Sequence, residues 1–251
     1  MPEQQYTDFG FKKIKFSDKQ SFVNKVFSGV AGRYDLMNDL MSFGVHRLWK
    51  REFLNMIPDY SGDLLDIAGG SGDISLGYLE KAIKSSKNPK IILCDINLEM
   101  LNAARAKFVD KNILDRISIV SGDGMSLPFA DNTFDYITIA FGIRNIADIT
   151  KCLKEAKRVL KKGGKFLCLE FSQVENGLVS EIYDFYSFNV IPKIGKIITN
   201  NEDAYKYLVE SIKKFPSKEK FVDMIKESGF EGVDYKSLTS GVVAIHWGYN
   251  L

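Results

Sequence analysis

The stretch Asp63-Leu-Leu-Asp-Ile-Ala-Gly-Gly-Ser-Gly-Asp73 decides how this chain folds. Its apolar residues Leu64, Leu65 and Ile67 enclose one acid, Asp66, and read as a short buried strand. The run enters Gly69, Gly70 and Gly72, and an apolar-periodic helix follows from Ile74 to Ala82. A strand, a glycine turn and a helix N-terminus let a ligand lie against bare backbone, with amide N–H groups pointing at it. The dinucleotide-binding version of this turn wants a third glycine further on, where this chain has Ser75, and it carries no acid inside its first strand. A strand acid followed by packed glycines suits a cationic amino-acid ligand better than a pyrophosphate. S-adenosylmethionine, with its ammonium and sulfonium, meets that demand. A merely structural turn is the competing reading.

Working outward, strands and helices alternate. Lys90-Ile-Ile-Leu-Cys-Asp95 reads as a second buried strand ending in an acid, and Asn97 caps a helix through Met100, Leu101 and Ala104. Ile117–Val120 is a third strand, followed by Gly122-Asp123-Gly124. Phe134–Ala140 is a fourth, and 147–160 a helix. Lys162-Gly163-Gly164 then turns the chain into a fifth strand, Lys165–Phe171. On the N-terminal side, residues 20–33 and the run Trp49, Phe53, Ile57 carry helical periodicity. Such alternation predicts a parallel sheet covered on both faces, with ligands at the carboxyl ends of the strands. Asp95 there suits both ribose hydroxyls of an adenosine, or it merely caps the next helix. Asp123 with the Gly124 backbone suits an adenine amino group, or it is an ordinary turn acid.

Composition removes several classes. With 34 basic and 32 acidic residues the net charge is only +2, which gives no electrostatic footprint for nucleic acid. Cys94, Cys152 and Cys168 lie far apart in apolar segments without metal or redox spacing, so buried thiols in a reducing compartment are expected and no metal site. No apolar run is long enough to span a membrane, and the first residues lack a signal-peptide pattern. A single cytoplasmic domain over residues 1–251 is therefore expected.

The ordered set Asp66–Gly72, Asp95, Asp123, Phe134-Asp135 and Lys162-Gly163-Gly164 resembles the class I S-adenosylmethionine-dependent methyltransferases. Tyr34-Asp-Leu-Met-Asn-Asp-Leu-Met-Ser-Phe-Gly-Val-His46-Arg-Leu-Trp49 further resembles the N-terminal signature of the ubiquinone/menaquinone biosynthesis C-methyltransferases, and Arg158–Ser172 their second signature. Leu127-Pro-Phe, Phe141-Gly-Ile-Arg-Asn145, Tyr207–Ile212 and Thr239–Gly248 are similar to that family too. Two positions depart from it: Lys162 stands where Pro is usual, and Ala140 where a small hydroxyl residue is common, leaving only a backbone contact there.

This resemblance implies a seven-stranded, mostly parallel α/β sheet with its last strand antiparallel and helices on both faces. The sixth and seventh strands fall at 230–237 and 241–248, with N-terminal helices over 1–60 and a helical insert over 172–229. It implies an S-adenosyl-L-methionine site at Ser71 with Gly70 and Gly72, Asp95, Asp123 and Gly124, to which the strand acid Asp66 is added. The implied substrate is a prenylated benzoquinol, with a naphthoquinol in its place left open. Peripheral contact with the inner face of a membrane, other quinone-biosynthesis enzymes and a homodimer are left open as well.

The chemistry needs a carbon nucleophile placed in line with an already electrophilic methyl, and water kept out. A quinol carbon becomes nucleophilic when a neighbouring hydroxyl ionises, which free phenols do near pH ~10. A fixed guanidinium lowers that value, and Arg144, just past the fourth strand, is placed to supply it. Its plainer role is a surface pair with Asp148. His46 can take a proton near neutral pH, or it only orients the N-terminal helices. The long 172–229 stretch carries Tyr205, Tyr207, Ile197, Ile198 and other apolar residues, which suits a helical layer that also serves as a lid for a polyprenyl tail. Two other classes compete. A nicotinamide dehydrogenase shares the strand–glycine logic but lacks its third glycine here, and a non-catalytic subunit would keep the signatures without turnover.

Overall fold

A computed structural model describes residues 6–29, 39, 42, 44–173 and 202–251. The sheet is built from β3 (Leu64–Ile67), β4 (Ile91–Asp95), β5 (Ser118–Ser121), β6 (Phe134–Ala140), β7 (Leu160–Phe171), β8 (Glu231–Leu238) and β9 (Val243–Tyr249). Their spatial order is β5-β4-β3-β6-β7-β9-β8. β3 to β7 pair in parallel, whereas β9 runs antiparallel to both β7 and β8. The order reverses between β3 and β6. A cleft therefore opens beyond the carboxyl ends of these two strands.

Alternation along each strand explains the two covered faces. Leu64 and Leu93 point into one core with Phe53, Tyr78 and Phe108, while Leu65 and Ile92 point into the other with Phe134, Leu153 and Phe221. β7 splits the same way, Leu167 to the first side and Phe166 with Cys168 to the second. The helices α2 (His46–Asn55), α3 (Asp73–Lys84) and α4 (Leu98–Asp110) supply the first core, and α5 (Ile149–Val159) the second. In α5 the buried Cys152, Leu153, Ala156 and Val159 form one stripe, and Asp148 caps the helix by accepting from the Lys151 amide at 2.9 Å. Asn97 caps α4 in the same way, as its sequence predicts.

Three boundaries differ from the sequence reading. The N-terminal region begins with a hairpin, β1 (Tyr6–Phe9) and β2 (Lys12–Lys15), before α1 (Phe16–Ser28), so it is not helical throughout. Lys161–Gly164 form an irregularity inside β7, between the pairs Phe134–Leu160 and Tyr136–Lys165, with Gly163 at φ +78°. The expected insert also contains two helices of different kinds. α6 (Glu202–Lys214) buries Tyr205, Leu208 and Ile212 in the first core. By contrast, α7 (Lys218–Glu227) buries Phe221 and Ile225 against the opposite face and is an ordinary sheet-covering crossover helix. Among the described residues, no helix is long and apolar enough to cross a membrane.

Candidate active site

The turn after β3 is shaped by the acid inside the strand. Asp66 is fully buried, and its carboxylate accepts from the Ser75 amide (3.2 Å), the Ser75 hydroxyl (2.8 Å) and the Thr138 hydroxyl (2.9 Å). Ser75 is therefore not a defective third glycine; it ties the first turn of α3 back to β3. Burial pushes the Asp66 carboxyl up to about 6, against the pull of those hydrogen bonds. Gly72, at φ +82°, caps α3, and a Cβ there would meet the Phe108 ring. Gly70, at φ +55°, donates its amide to Asp95 Oδ2 at 2.9 Å. Asp95 Oδ1 accepts from the Asn97 amide at 2.8 Å, so this acid both supports the turn and starts the next helix.

Two cavities meet at this turn. One is lined by Asp95, Asn97, Met100 and, from α1, by Gln20, Val23 and Phe27. The other is lined by Asp66, Ser71, Asp73 and Lys50. Ala68, Gly70 and Phe141 border both. Ala68 (φ +51°) and Phe141 (φ +58°) end the neighbouring strands β3 and β6, and each is held in the left-handed region that residues with a side chain rarely adopt. Lys50 is the one cation lining the second cavity among the described residues; it pairs with Asp73 at 2.5 Å, and Lys107 holds the other oxygen of that acid at 2.7 Å. The donor set fits S-adenosylmethionine. An apolar slot with an acid at its rim suits an adenosine, and bare glycine backbone beside an acid and a lysine suits a zwitterionic amino-acid arm.

Past β6 the chain enters a 3₁₀ turn, Ile143–Asn145. Arg144 is buried there, and its Nη1 donates to Glu170 Oε1 (2.7 Å) and to the Phe141 carbonyl (2.6 Å). The expected surface partner Asp148 is instead the cap of α5. Arg144 Nε is buried with no acceptor among the described residues. Arg144 also borders a cavity of about 430 Å³ beyond the cofactor cleft, with Lys19, Thr150, Tyr207, Phe215 and Met224. Ile146 lines this cavity and the one at Asp95, so one residue's width separates them.

The remaining candidates scatter. Asp123 and Gly124 follow β5 on the same edge, but Asp123 accepts from the Met125 amide (2.8 Å) in a local turn and does not line the cavity at Asp95. A Cβ on Gly124 would touch Ile146 and Ile67, which places it behind the cleft. His46 is buried at the start of α2 with Nδ1 2.9 Å from the Ser42 hydroxyl. Burial and then Lys50 hold its pKa below the usual value. It lines none of these cavities and is not brought beside Arg144. Tyr205 is fully buried in the first core and lines none of them either. Ile197 and Ile198 lie outside the described residues. Sequence reasoning missed Lys50, Asn145, Glu170 and Tyr207, although the last three stood inside motifs quoted for their family likeness.

A parallel sheet with an antiparallel last strand, a glycine turn backed by a strand acid, and a ribose-type acid on the next strand define a class I S-adenosylmethionine-dependent methyltransferase. Solved structures share that fold: a Thermotoga maritima S-adenosylmethionine-dependent methyltransferase, described as a possible histamine N-methyltransferase, is 20% identical with a TM-score of 0.61, covering 91% of this chain and all of that one. The model of the ubiE/COQ5 methyltransferase family matches residues 13–250, and the chain belongs to that family. It is similar to the ubiquinone/menaquinone biosynthesis C-methyltransferase UbiE of Rickettsia bellii (strain OSU 85-389), 59% identical over 98% of this chain and 99% of that protein. The Rickettsia prowazekii (strain Madrid E) UbiE is 56% identical over the same shares.

Proposed function

We propose that the chain transfers the methyl group of S-adenosylmethionine to a ring carbon of a prenylated quinol. The substrate class is the 2-methoxy-6-polyprenyl-1,4-benzoquinol type of ubiquinone biosynthesis, with demethylmenaquinol as a second ring of the same chemistry. Likeness to the UbiE relatives along nearly the whole chain supports the reaction. The observation that carries the site is Arg144: a buried guanidinium whose Nε has no acceptor among the described residues, bordering a cavity large enough for a substituted ring next to the cofactor-type cleft.

When bound, S-adenosylmethionine supplies an electrophilic methyl, so the protein's work is to orient the ring, exclude water and favour its ionised form. Arg144 favours the phenolate, because a guanidinium stays charged in a dry pocket and presents fixed donors. Glu170 holds the guanidinium through Nη1, Nε has no acceptor among the described residues, and Arg144 borders the cavity. Asp95 accepts from the ribose hydroxyls, and Asp66 and Lys50 complement the charges of the amino-acid arm. His46 is given the orienting role, since it borders no cavity. Gripping of the tail by the segment containing Ile197 and Ile198, peripheral contact with the inner face of the membrane, and pairing with a second copy or with other quinone-biosynthesis enzymes belong to the same reading, supported by sequence alone.

The test is methyl transfer by the purified protein from isotope-labelled S-adenosylmethionine to a chemically reduced, prenylated demethylquinol, read by mass spectrometry. Incorporation of one labelled methyl per ring is expected. Absence of label from both benzoquinol and naphthoquinol substrates, with S-adenosylmethionine still bound, would remove the proposal in favour of a non-catalytic role.

A further inference from the structure

Between the cofactor cleft and the larger cavity stands a hydrogen bond that neither the glycine turn nor Arg144 accounts for. The Tyr207 hydroxyl, on α6, lies 3.0 Å from Oδ1 of Asn145, and both side chains are buried. Asn145 lines the cleft with Asp95 and Phe141, whereas Tyr207 lines the cavity with Arg144. A carboxamide presents two acceptor lone pairs on one side and two N–H donors on the other, and its partner decides which side faces where. With its oxygen taken by Tyr207, Asn145 keeps its donors for the cleft.

Tyr207 is itself fastened from the far end of the chain. The Phe9 ring stacks on it at 4.2 Å between centroids and 19° between planes. One turn along α6, Glu210 Oε2 accepts from the Phe11 amide at 3.0 Å. A Cβ at Gly10, between Phe9 and Phe11, would run into Glu210, so the glycine lets the hairpin turn lie directly on α6. Phe22 of α1 packs on the other side of Phe9, with centroids 5.3 Å apart.

We propose that Tyr207 is a positioning residue for methyl transfer: its hydroxyl fixes the Asn145 carboxamide with its N–H donors toward the cofactor cleft, where the methyl group meets the quinol, and the β1–β2 hairpin holds Tyr207 in place through Phe9. The inference rests on the reading that a quinol is methylated between these cavities. Without the hydroxyl, the carboxamide is free to turn and offer its oxygen to a developing phenolate, which repels it. The loss then falls on the transition state more than on cofactor binding.

Tyr207→Phe keeps the stack with Phe9 and removes only the hydroxyl. Its kcat for a prenylated demethylquinol should fall about tenfold or more, as loss of one hydrogen bond to a charge-bearing site implies, while KM for S-adenosylmethionine stays within about twofold. In an Asn145→Ala background the same change should have no further effect, because the group it positions is gone. Phe9→Ala should lower kcat in the same direction, and Phe9→Tyr, which retains a stacking ring, should restore it. Wild-type kcat in Tyr207→Phe would overturn the inference. So would an equal fold-loss in the Asn145→Ala background, or a loss shared equally by kcat and KM together with a lower Tm. If the unmodified protein methylates no quinol, the proposed function fails; if it does and Tyr207→Phe is unaffected, only the positioning role fails.

Discussion

Arg144 and Glu170 form a buried ion pair at 2.7 Å, with side chains 3% and 1% exposed, at the ends of the adjacent parallel strands β6 and β7. Burial raises the Glu170 carboxyl, and Arg144 draws it back down. The two partners are not equivalent. Arg144→Ala leaves a carboxyl that can take up a proton, whereas Glu170→Ala strands a guanidinium that cannot lose one. Glu170→Ala should therefore destabilise the fold by about 3–5 kcal/mol, the usual cost of uncovering a buried charge. Arg144→Ala should instead lower kcat by about 10²–10³, as loss of one oxyanion donor does, with little change in cofactor affinity. Arg144→Lys should recover part of it, since one ammonium cannot reproduce a planar fork. Denaturant melts and steady-state kinetics on the three variants check the asymmetry; near-normal turnover in Arg144→Ala would reduce the pair to a structural one.

Asp95 accepts from Gly70 and Asn97 and still has lone pairs for ribose hydroxyls. Asp95→Ala should weaken S-adenosylmethionine binding by about 1.5–3 kcal/mol, the range for hydrogen bonds to a charged acceptor. Calorimetry on the folded variant measures this, and an unchanged affinity would take Asp95 out of the cofactor site.

Asp66 predicts a pH dependence with a definite sign. Its folded pKa of about 6 lies above the ordinary 3.8. The stability it contributes is thus present below pH ~4 and is lost as pH rises through about 6, a total of about 3 kcal/mol at 1.36 kcal/mol per unit. Cofactor affinity moves the other way: a cationic amino-acid arm favours the ionised carboxylate, so binding should weaken as pH falls below about 6. Asp66→Asn should flatten both profiles. Ser75→Ala, which removes a hydrogen bond favouring the charged form, should shift both midpoints upward. Profiles of Asp66→Asn that parallel the parent protein would assign the titration elsewhere.

The cavity at Asp95 is roofed by Gln20, Val23, Asn24 and Phe27 of α1, and the Asn97 side-chain Nδ2 donates to the Asn24 carbonyl at 3.3 Å. Filling this cavity should press α1 onto its neighbours. Hydrogen exchange across 16–28 should slow when S-adenosylhomocysteine is added, and unchanged exchange there would place the nucleoside elsewhere.

The sheet was legible because its strands are short apolar runs bounded by glycines and acids, and Asp66, Gly70 and Asp95 could be found from spacing alone. The partner of Arg144 could not. Asp148 looked like an i,i+4 partner, but Ile143–Asn145 is a 3₁₀ turn and Asp148 caps the next helix, so helical spacing does not apply. Glu170 arrives through the parallel register that sets Ala140 opposite Leu169, a long-range fact with no local trace. The hairpin did leave a trace, in the alternation around Phe9-Gly10-Phe11, which two-residue periodicity would have caught. Tyr207 stood in a quoted motif, yet its bond to Asn145 spans 62 positions of sequence.

Carbon methylation of a quinol is decided most directly by where the transferred carbon ends up. With ¹³C-methyl S-adenosylmethionine and a reduced, prenylated demethylquinol, NMR of the isolated product should show the label as a ring-bound methyl carbon. Arg144→Ala should yield far less of the same product. A label found as a methoxy carbon, or none in the quinol at all, would contradict carbon methylation at this site.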